Sequence, residues 1–103
     1  AQDHLLDLAL VADDALARDF VAARLEPLQA MTPAARERAT QTLRAWLDAH
    51  GDVSVSAGVL HVHPQSVRYR IARLREAFGG ALDDPVGRME IIAALRVDEL
   101  LDG

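Results

Sequence analysis

The sequence predicts an all-α fold, a small bundle of roughly five to six helices, and two kinds of observation carry that prediction. Apolar residues recur at intervals of three and four over several segments, which places them on one face of a helix. Those segments are bounded by helix punctuation. A polar residue followed by Pro opens them (Thr32-Pro33, Asp84-Pro85), and Gly closes them (Gly51, Gly79-Gly80).

The first element is expected over residues 3–25. Leu5, Leu6, Leu8 and Leu10 precede Asp13-Asp14, a break and N-cap, and then Leu16, Phe20 and Leu25 return near helical spacing. Glu26-Pro27 ends this helix, because the residue before a proline is pushed out of helical geometry. A linker to Met31 follows. Thr32 then caps a helix beginning at Pro33, a position where a missing N–H costs nothing. Ala39, Leu43, Trp46, Leu47 and His50 mark its inner face, with Trp46 as a core residue, and Gly51 supplies the left-handed stop. Residues 52–63 read two ways. Val53 to Ser56 alternates with period two and Val59 to His63 is rich in β-branched residues, which fits a hairpin. Asp52 as N-cap with Val53, Ala57 and Leu60 on one stripe fits a helix. Residues 64–78 are a clearer helix, with Pro64 in the first turn and Val67, Ile71, Leu74 and Phe78 in one sector. The last helix starts at Asp84-Pro85 and runs through Val86, Met89, Ile92, Leu95 and Leu100.

Composition narrows the function classes. The chain has 103 residues, a formal net charge of −5 and no cysteine. That length fits one domain, or one domain with a remnant of a neighbour. A disulfide scaffold and a thiolate zinc site are excluded. No uncharged stretch approaches the ~20 residues of a membrane span, and no signal-peptide pattern opens the chain. It begins at Ala1 instead of Met, as a piece of a longer protein would. All eleven basic residues are Arg, a coding bias that makes their placement more informative than their number. Residues 1–35 and 81–103 each carry six acids against two Arg. Residues 61–80 reverse the balance, with Arg68, Arg70, Arg73 and Arg75 against Glu76 alone. A basic island between acidic flanks is a candidate footprint for a polyanion.

The interval from Gly51 to Phe78 has the layout of a helix-turn-helix. Ala57 leaves room for a second helix to cross, Val62 points inward from the turn His61-Val62-His63, and Val67 and Ile71 pack the two helices together. His61 stands where many such turns carry Gly, and His is among the residues that tolerate positive φ. The run from Gly51 to Leu74 resembles the C-terminal DNA-binding domain of PucR/CdaR-type bacterial transcription regulators. Leu60-His61-Val62-His63 and Ser66-Val67-Arg68-Tyr69-Arg70-Ile71-Ala72-Arg73 carry the resemblance. Thr42-Leu43-Arg44-Ala45-Trp46-Leu47 upstream, with Leu82-Asp83-Asp84-Pro85 and Ala94-Leu95-Arg96 downstream, extends it over about residues 15–97. It departs at Asp52, Gln65 and Ser66, where the family pattern has Asn, Asn and Thr. The segment is also similar to the helix-turn-helix of Fis-type proteins. What the resemblance implies is a helix over 53–60, a bundle containing a Fis-like helix-turn-helix, and a cytoplasmic, nucleoid-associated regulator. Residues 31–103 would be its DNA-binding domain, and residues 1–30 the tail of a preceding sensory or regulatory region.

With 64–78 as the second helix, Gln65, Tyr69, Ala72 and Glu76 lie opposite the Val67, Ile71 and Leu74 stripe. Arg68 and Arg73 flank them, with Ser66 near Arg73. Gln can pair with adenine N6 and N7, Arg with guanine O6 and N7, and Ser with base edges or a phosphate. Tyr69 can donate to a phosphate, and His63 caps the helix or contacts phosphate at a helix N-terminus that favours anions. The expected DNA-binding residues are therefore His63, Gln65, Ser66, Arg68, Tyr69 and Arg73, read into the major groove of double-stranded DNA. Arg70 borders the buried stripe and is expected to pair structurally with an acid. One recognition helix makes few contacts, so a homo-oligomer, a dimer or larger, is expected of the full-length protein. The alternative is a helical protein–protein interaction or oligomerisation module without DNA binding. His61 and His63, with His50 nearby, lack the cysteine or carboxylate partners of a zinc site. No phosphate loop, nucleophile elbow or metalloprotease motif is present. The sequence therefore predicts no enzyme activity, no cofactor, no metal and no membrane partner.

Overall fold

Four helix starts in this chain are set by side chains that take up free backbone N–H groups. The computed structural model describes residues 14–102. These form α1 (Asp14–Arg24), α2 (Glu26–Gln29), α3 (Pro33–Asp48), α4 (Val53–Leu60), α5 (Pro64–Phe78), a 3₁₀ turn (Ala81–Asp83) and α6 (Pro85–Asp102), with no strand among the described residues. The all-α bundle is thus the fold the chain adopts. Leu5, Leu6, Leu8, Leu10 and Asp13 lie outside the described residues. The Ala35 N–H donates to Thr32 Oγ1 at 3.3 Å, and the Val55 N–H to Asp52 Oδ1 at 3.0 Å. The Gln65 N–H donates to His63 Nδ1 at 3.0 Å, and the Gly87 N–H to Asp84 Oδ2 at 2.8 Å. The Thr and Asp caps are each worth about 1 kcal/mol. Asp52 resolves the ambiguous stretch: with its carboxylate at the N-cap, residues 53–60 are helical despite their β-branched content.

The ends of α3, α4 and α5 follow a left-handed pattern, with one departure from the sequence reading. After α3, the His50 N–H donates to the Leu47 carbonyl at 3.1 Å and the Gly51 N–H to the Trp46 carbonyl at 2.9 Å. This is a Schellman closure, and its left-handed residue is His50, at φ +54; Gly51 follows at φ +83. His50 is therefore exposed beyond the helix end and does not mark its inner face. Behind α4, His61 takes the same role at φ +57, as its place in the turn predicts, and the Val62 N–H reaches the Ala57 carbonyl at 3.1 Å.

The expected linker after α1 is also different. Its first part is the short helix α2, because Pro27 falls in a first helical turn and starts one helix as it ends another. Arg36 then holds this turn against α3, donating to the carbonyls of Leu28, Gln29 and Met31 at 3.2, 3.3 and 3.4 Å.

The core runs through all layers. Ala17, Val21, Leu25 and Leu28 pack with Leu43 and Trp46 of α3, Val67 and Ile71 of α5, and Ile91, Ala94, Leu95 and Val97 of α6. Each fully buried Leu, Ile or Val stabilises by about 1.5–3 kcal/mol. Two faces are rotated from the sequence reading. In α1, Ala17 and Val21 are buried while Leu16 is 66% exposed. In α6, Leu95 is buried, but Val86 (58% exposed), Met89 (64%), Ile92 and Leu100 face outward. Both faces of α6 are apolar, so periodicity alone does not choose between them. Small residues choose: Gly87 lies against the backbone of Ala81, and Ala94 is fully buried. Close approach outweighs side-chain size.

Trp46 is a core residue, 2% exposed. The guanidiniums of Arg75 and Arg88 lie 5.4 and 5.0 Å from its ring centroid, tying α3 to α5 and α6.

Candidate nucleic-acid interface

The pair α4 and α5 makes the helix-turn-helix. Ala57 is buried at the crossing, Val67 and Ile71 lie beneath it, and Val62 of the turn packs against the same cluster. Ser56 is fully buried and returns its hydroxyl to the Asp52 carbonyl at 2.7 Å, so α4 buries no unpaired oxygen there. His61 in the left-handed conformation reverses the chain. His63 then starts α5 with its ring on the Gln65 N–H. A neutral imidazole that accepts at Nδ1 carries its proton at Nε2, a donor at the N-terminal end of α5. His61 and His63 therefore serve the turn and the cap. Among the described residues, no three His, Asp or Glu side chains are grouped as metal ligands would be.

The outer face of α5 carries the expected residues together. Gln65, Arg68, Tyr69 and Arg73 are exposed, as is His63, while Ser66 is half-buried. Arg68 donates to Gln65 Oε1 at 2.8 Å, and Arg73 to the Tyr69 hydroxyl at 3.2 Å. Arg73 also lies 5.9 Å from the Tyr69 ring centroid. Each guanidinium is thus held in place by a neutral oxygen, and neither makes an ion pair among the described residues. The Gln65 amide keeps both N–H donors and one carbonyl lone pair, and Tyr69 keeps its hydroxyl proton.

Arg70 is structural, but its partner is not an acid. It donates to Thr42 Oγ1 at 3.3 Å, and Thr42, fully buried, donates in turn to the Arg38 carbonyl at 2.9 Å. Nothing local in the sequence pairs Thr42 with Arg70, because they stand 28 residues apart on different helices. Arg75 leaves the outer face as well, held by Asp83 at 3.1 Å and by Trp46.

The sequence is also similar to known proteins. A sequence model described as the PucR C-terminal helix-turn-helix domain matches residues 39–97. An uncharacterized protein in the pkwA 5′ region of Thermomonospora curvata is 48% identical over 54 residues, covering 52% of this chain and 30% of that protein. The purine catabolism regulatory protein of Bacillus subtilis is 37% identical over 60 residues, covering 58% of this chain and 11% of that protein. The chain thus spans less than a third of the length of either relative. No solved structure matches it.

Proposed function

This chain belongs to the PucR C-terminal helix-turn-helix family, and on that footing we propose that it is the sequence-specific DNA-binding output domain of a bacterial transcription regulator. Membership makes it a DNA-binding regulator domain and not an enzyme. The finer reading places α5 in the major groove of double-stranded DNA, with His63, Gln65, Ser66, Arg68, Tyr69 and Arg73 at the contact. One observation carries it: Arg68 and Arg73 stand exposed on α5 with neutral partners only, so neither guanidinium is neutralised by an ion pair among the described residues.

The division of labour follows from chemistry. Gln65 and Arg68 sit in the first turns of α5, the part of a recognition helix that reaches base edges. Arg68 holds Gln65 by one oxygen lone pair, leaving the amide free to address adenine and the rest of the guanidinium free to meet a phosphate. Tyr69, Arg73, Ser66 and His63 offer O–H and N–H donors to backbone phosphates. Base contacts set the preference, and phosphate contacts set the salt dependence.

Residues 1–30 are assigned to the tail of a preceding sensory or regulatory region, and residues 31–103 to the DNA-binding domain. We also place the full-length protein in the cytoplasm, as a homo-oligomer on repeated half-sites. Support for the oligomer is the small contact area of one helix and the exposed Val86, Met89 and Ile92 of α6. No described helix is long and apolar enough to cross a membrane.

The test is duplex binding by the 103-residue chain over a salt series, with base preference read from a random-sequence duplex pool. Arg68→Ala and Arg73→Ala should each flatten the slope of log K against log salt by about 0.9 for a lost phosphate contact. Gln65→Ala should relax preference at one base pair. Wild-type behaviour from all three variants would refute the assignment of α5.

A further inference from the structure

A groove of about 260 Å³ runs between the N-terminal half of α3 and one flank of α5. Its floor is apolar and built from small side chains, Ala35 and Ala39, with Leu74 below. Its rim is Arg38, Tyr69, Arg70 and Arg73, and no carboxylate lines it. Three guanidiniums around a shallow trough without an acid constitute a site for an extended anion.

Arg38 has no side-chain bonding role among the described residues. Its side chain is exposed, and its guanidinium has no ion pair or hydrogen bond among the described residues. Its backbone, by contrast, is fixed relative to α5, because its carbonyl receives the Thr42 hydroxyl that Arg70 holds. The chain therefore positions Arg38 beside α5 and leaves its charge unspent.

The orientation of α5 says which anion lies there. Arg68 and Arg73 are five residues apart, so they diverge by about 140° around the helix axis. With α5 in a major groove about 12 Å wide, these two flanks meet the two different sugar-phosphate strands. The Arg73 flank continues into the α3 groove. Resting on the reading of α5 as the major-groove helix, we propose that Arg38, with Arg73 and Tyr69, clamps the backbone of one DNA strand in this trough. Phosphate oxygens take the guanidinium N–H groups, and deoxyribose rings lie on Ala35 and Ala39. Such a contact fixes the register of α5 without reading sequence.

The clamp is tested by fluorescence anisotropy with a mixed-sequence duplex, titrated with salt against wild type, Arg38→Ala, Arg38→Lys and Arg68→Ala. Arg38→Ala should lower the salt slope by about 0.9 and leave the base preference from a random duplex pool unchanged. Arg38→Lys should restore most of the slope. Because the Arg38 guanidinium makes no hydrogen bond or ion pair among the described residues, its variants should melt as wild type does. A wild-type slope for Arg38→Ala, beside a flattened slope for Arg68→Ala, would overturn the clamp and leave the α5 reading standing. If the wild-type chain does not bind duplex at all, the α5 reading fails and the clamp with it.

Discussion

Gly87 and Gly58 are both helical glycines, yet replacing each with Ala should move stability in opposite directions. Glycine inside a helix costs about 1 kcal/mol relative to Ala, so a glycine-to-alanine change stabilises a helix that has room for the methyl. Gly58 in α4 has room: an added Cβ meets nothing within 4 Å. At Gly87 in α6 the same atom would overlap the carbonyl oxygen of Ala81. It would also come within 3.0 Å of the Ala81 Cα and 3.1 Å of its carbonyl carbon. These are backbone atoms of the 3₁₀ turn, which carries the fully buried Leu82, so the turn and α6 must separate. Overpacking of that kind costs about 3 kcal/mol, and subtracting the propensity gain of about 1 leaves a net loss of about 2. For a domain this size, that lowers the melting temperature by roughly 8–16 °C, while Gly58→Ala raises it by roughly 4–8 °C. Thermal melts by circular dichroism at 222 nm measure both. A Gly87→Ala protein melting at or above wild type would refute the close approach of α6 to the 3₁₀ turn, and with it the face assigned to α6.

Three further outcomes follow from local contacts. Asp52→Ala removes the N-cap of α4 and should cost about 1 kcal/mol in urea denaturation, with Asp52→Asn recovering most of it. His61→Gly relieves a left-handed backbone that costs a side-chain-bearing residue about 1 kcal/mol, so it should raise the unfolding free energy from urea denaturation by about that amount. Arg88→Ala loses the bond to the Leu82 carbonyl at 2.7 Å and the cation over Trp46, and should cost about 1–2 kcal/mol. Since Trp46 is the only tryptophan, Arg88→Ala should also change its emission in the native state; an unchanged spectrum would place Arg88 away from the ring.

The sequence was most legible where a single residue type decides the geometry. Thr32-Pro33, His63-Pro64 and Asp84-Pro85 mark helix starts because a capping acceptor and a donor-free proline act locally. The outer face of α5 was equally legible, since one clean buried stripe, Val67, Ile71 and Leu74, determines what lies opposite. Legibility failed where two helix faces are equally apolar. In α6 the choice between Met89–Ile92 and Ile91–Ala94 depends on how closely another backbone approaches, which hydrophobic spacing does not encode. It failed at His50 for a related reason: Gly51 is the obvious left-handed residue, but the bonds to Leu47 and Trp46 place the helix stop one position earlier. The Arg70–Thr42 bond was out of reach because it joins helices whose packing angle no short motif records.

Sorting the arginines explains how an acidic chain presents a cationic face. Net charge −5 describes the whole chain, whereas a DNA strand responds to the field at the surface it approaches. Asp14 takes Arg18 at 2.8 Å, Glu90 takes Arg24 at 2.6 Å, Glu99 takes Arg44 at 3.1 Å and Asp83 takes Arg75 at 3.1 Å. Such exposed pairs add little stability, but each neutralises a cation on α1, on the α3–α6 side, or at the 3₁₀ turn. Arg36 and Arg88 are spent on backbone carbonyls, and Arg70 on a hydroxyl. Arg96 of α6 is also engaged. Among the described residues Arg38, Arg68 and Arg73 have no acid partner, and all three stand on α5 or along its groove with α3. Reversing a flank acid that holds an arginine, as in Glu90→Lys, therefore raises the net charge by two yet adds little at the α5 face. If duplex affinity followed net charge alone, Glu90→Lys should strengthen binding more than Arg38→Ala weakens it. If the local face governs, Arg38→Ala has the larger effect at every salt concentration, and the anisotropy titration separates the two.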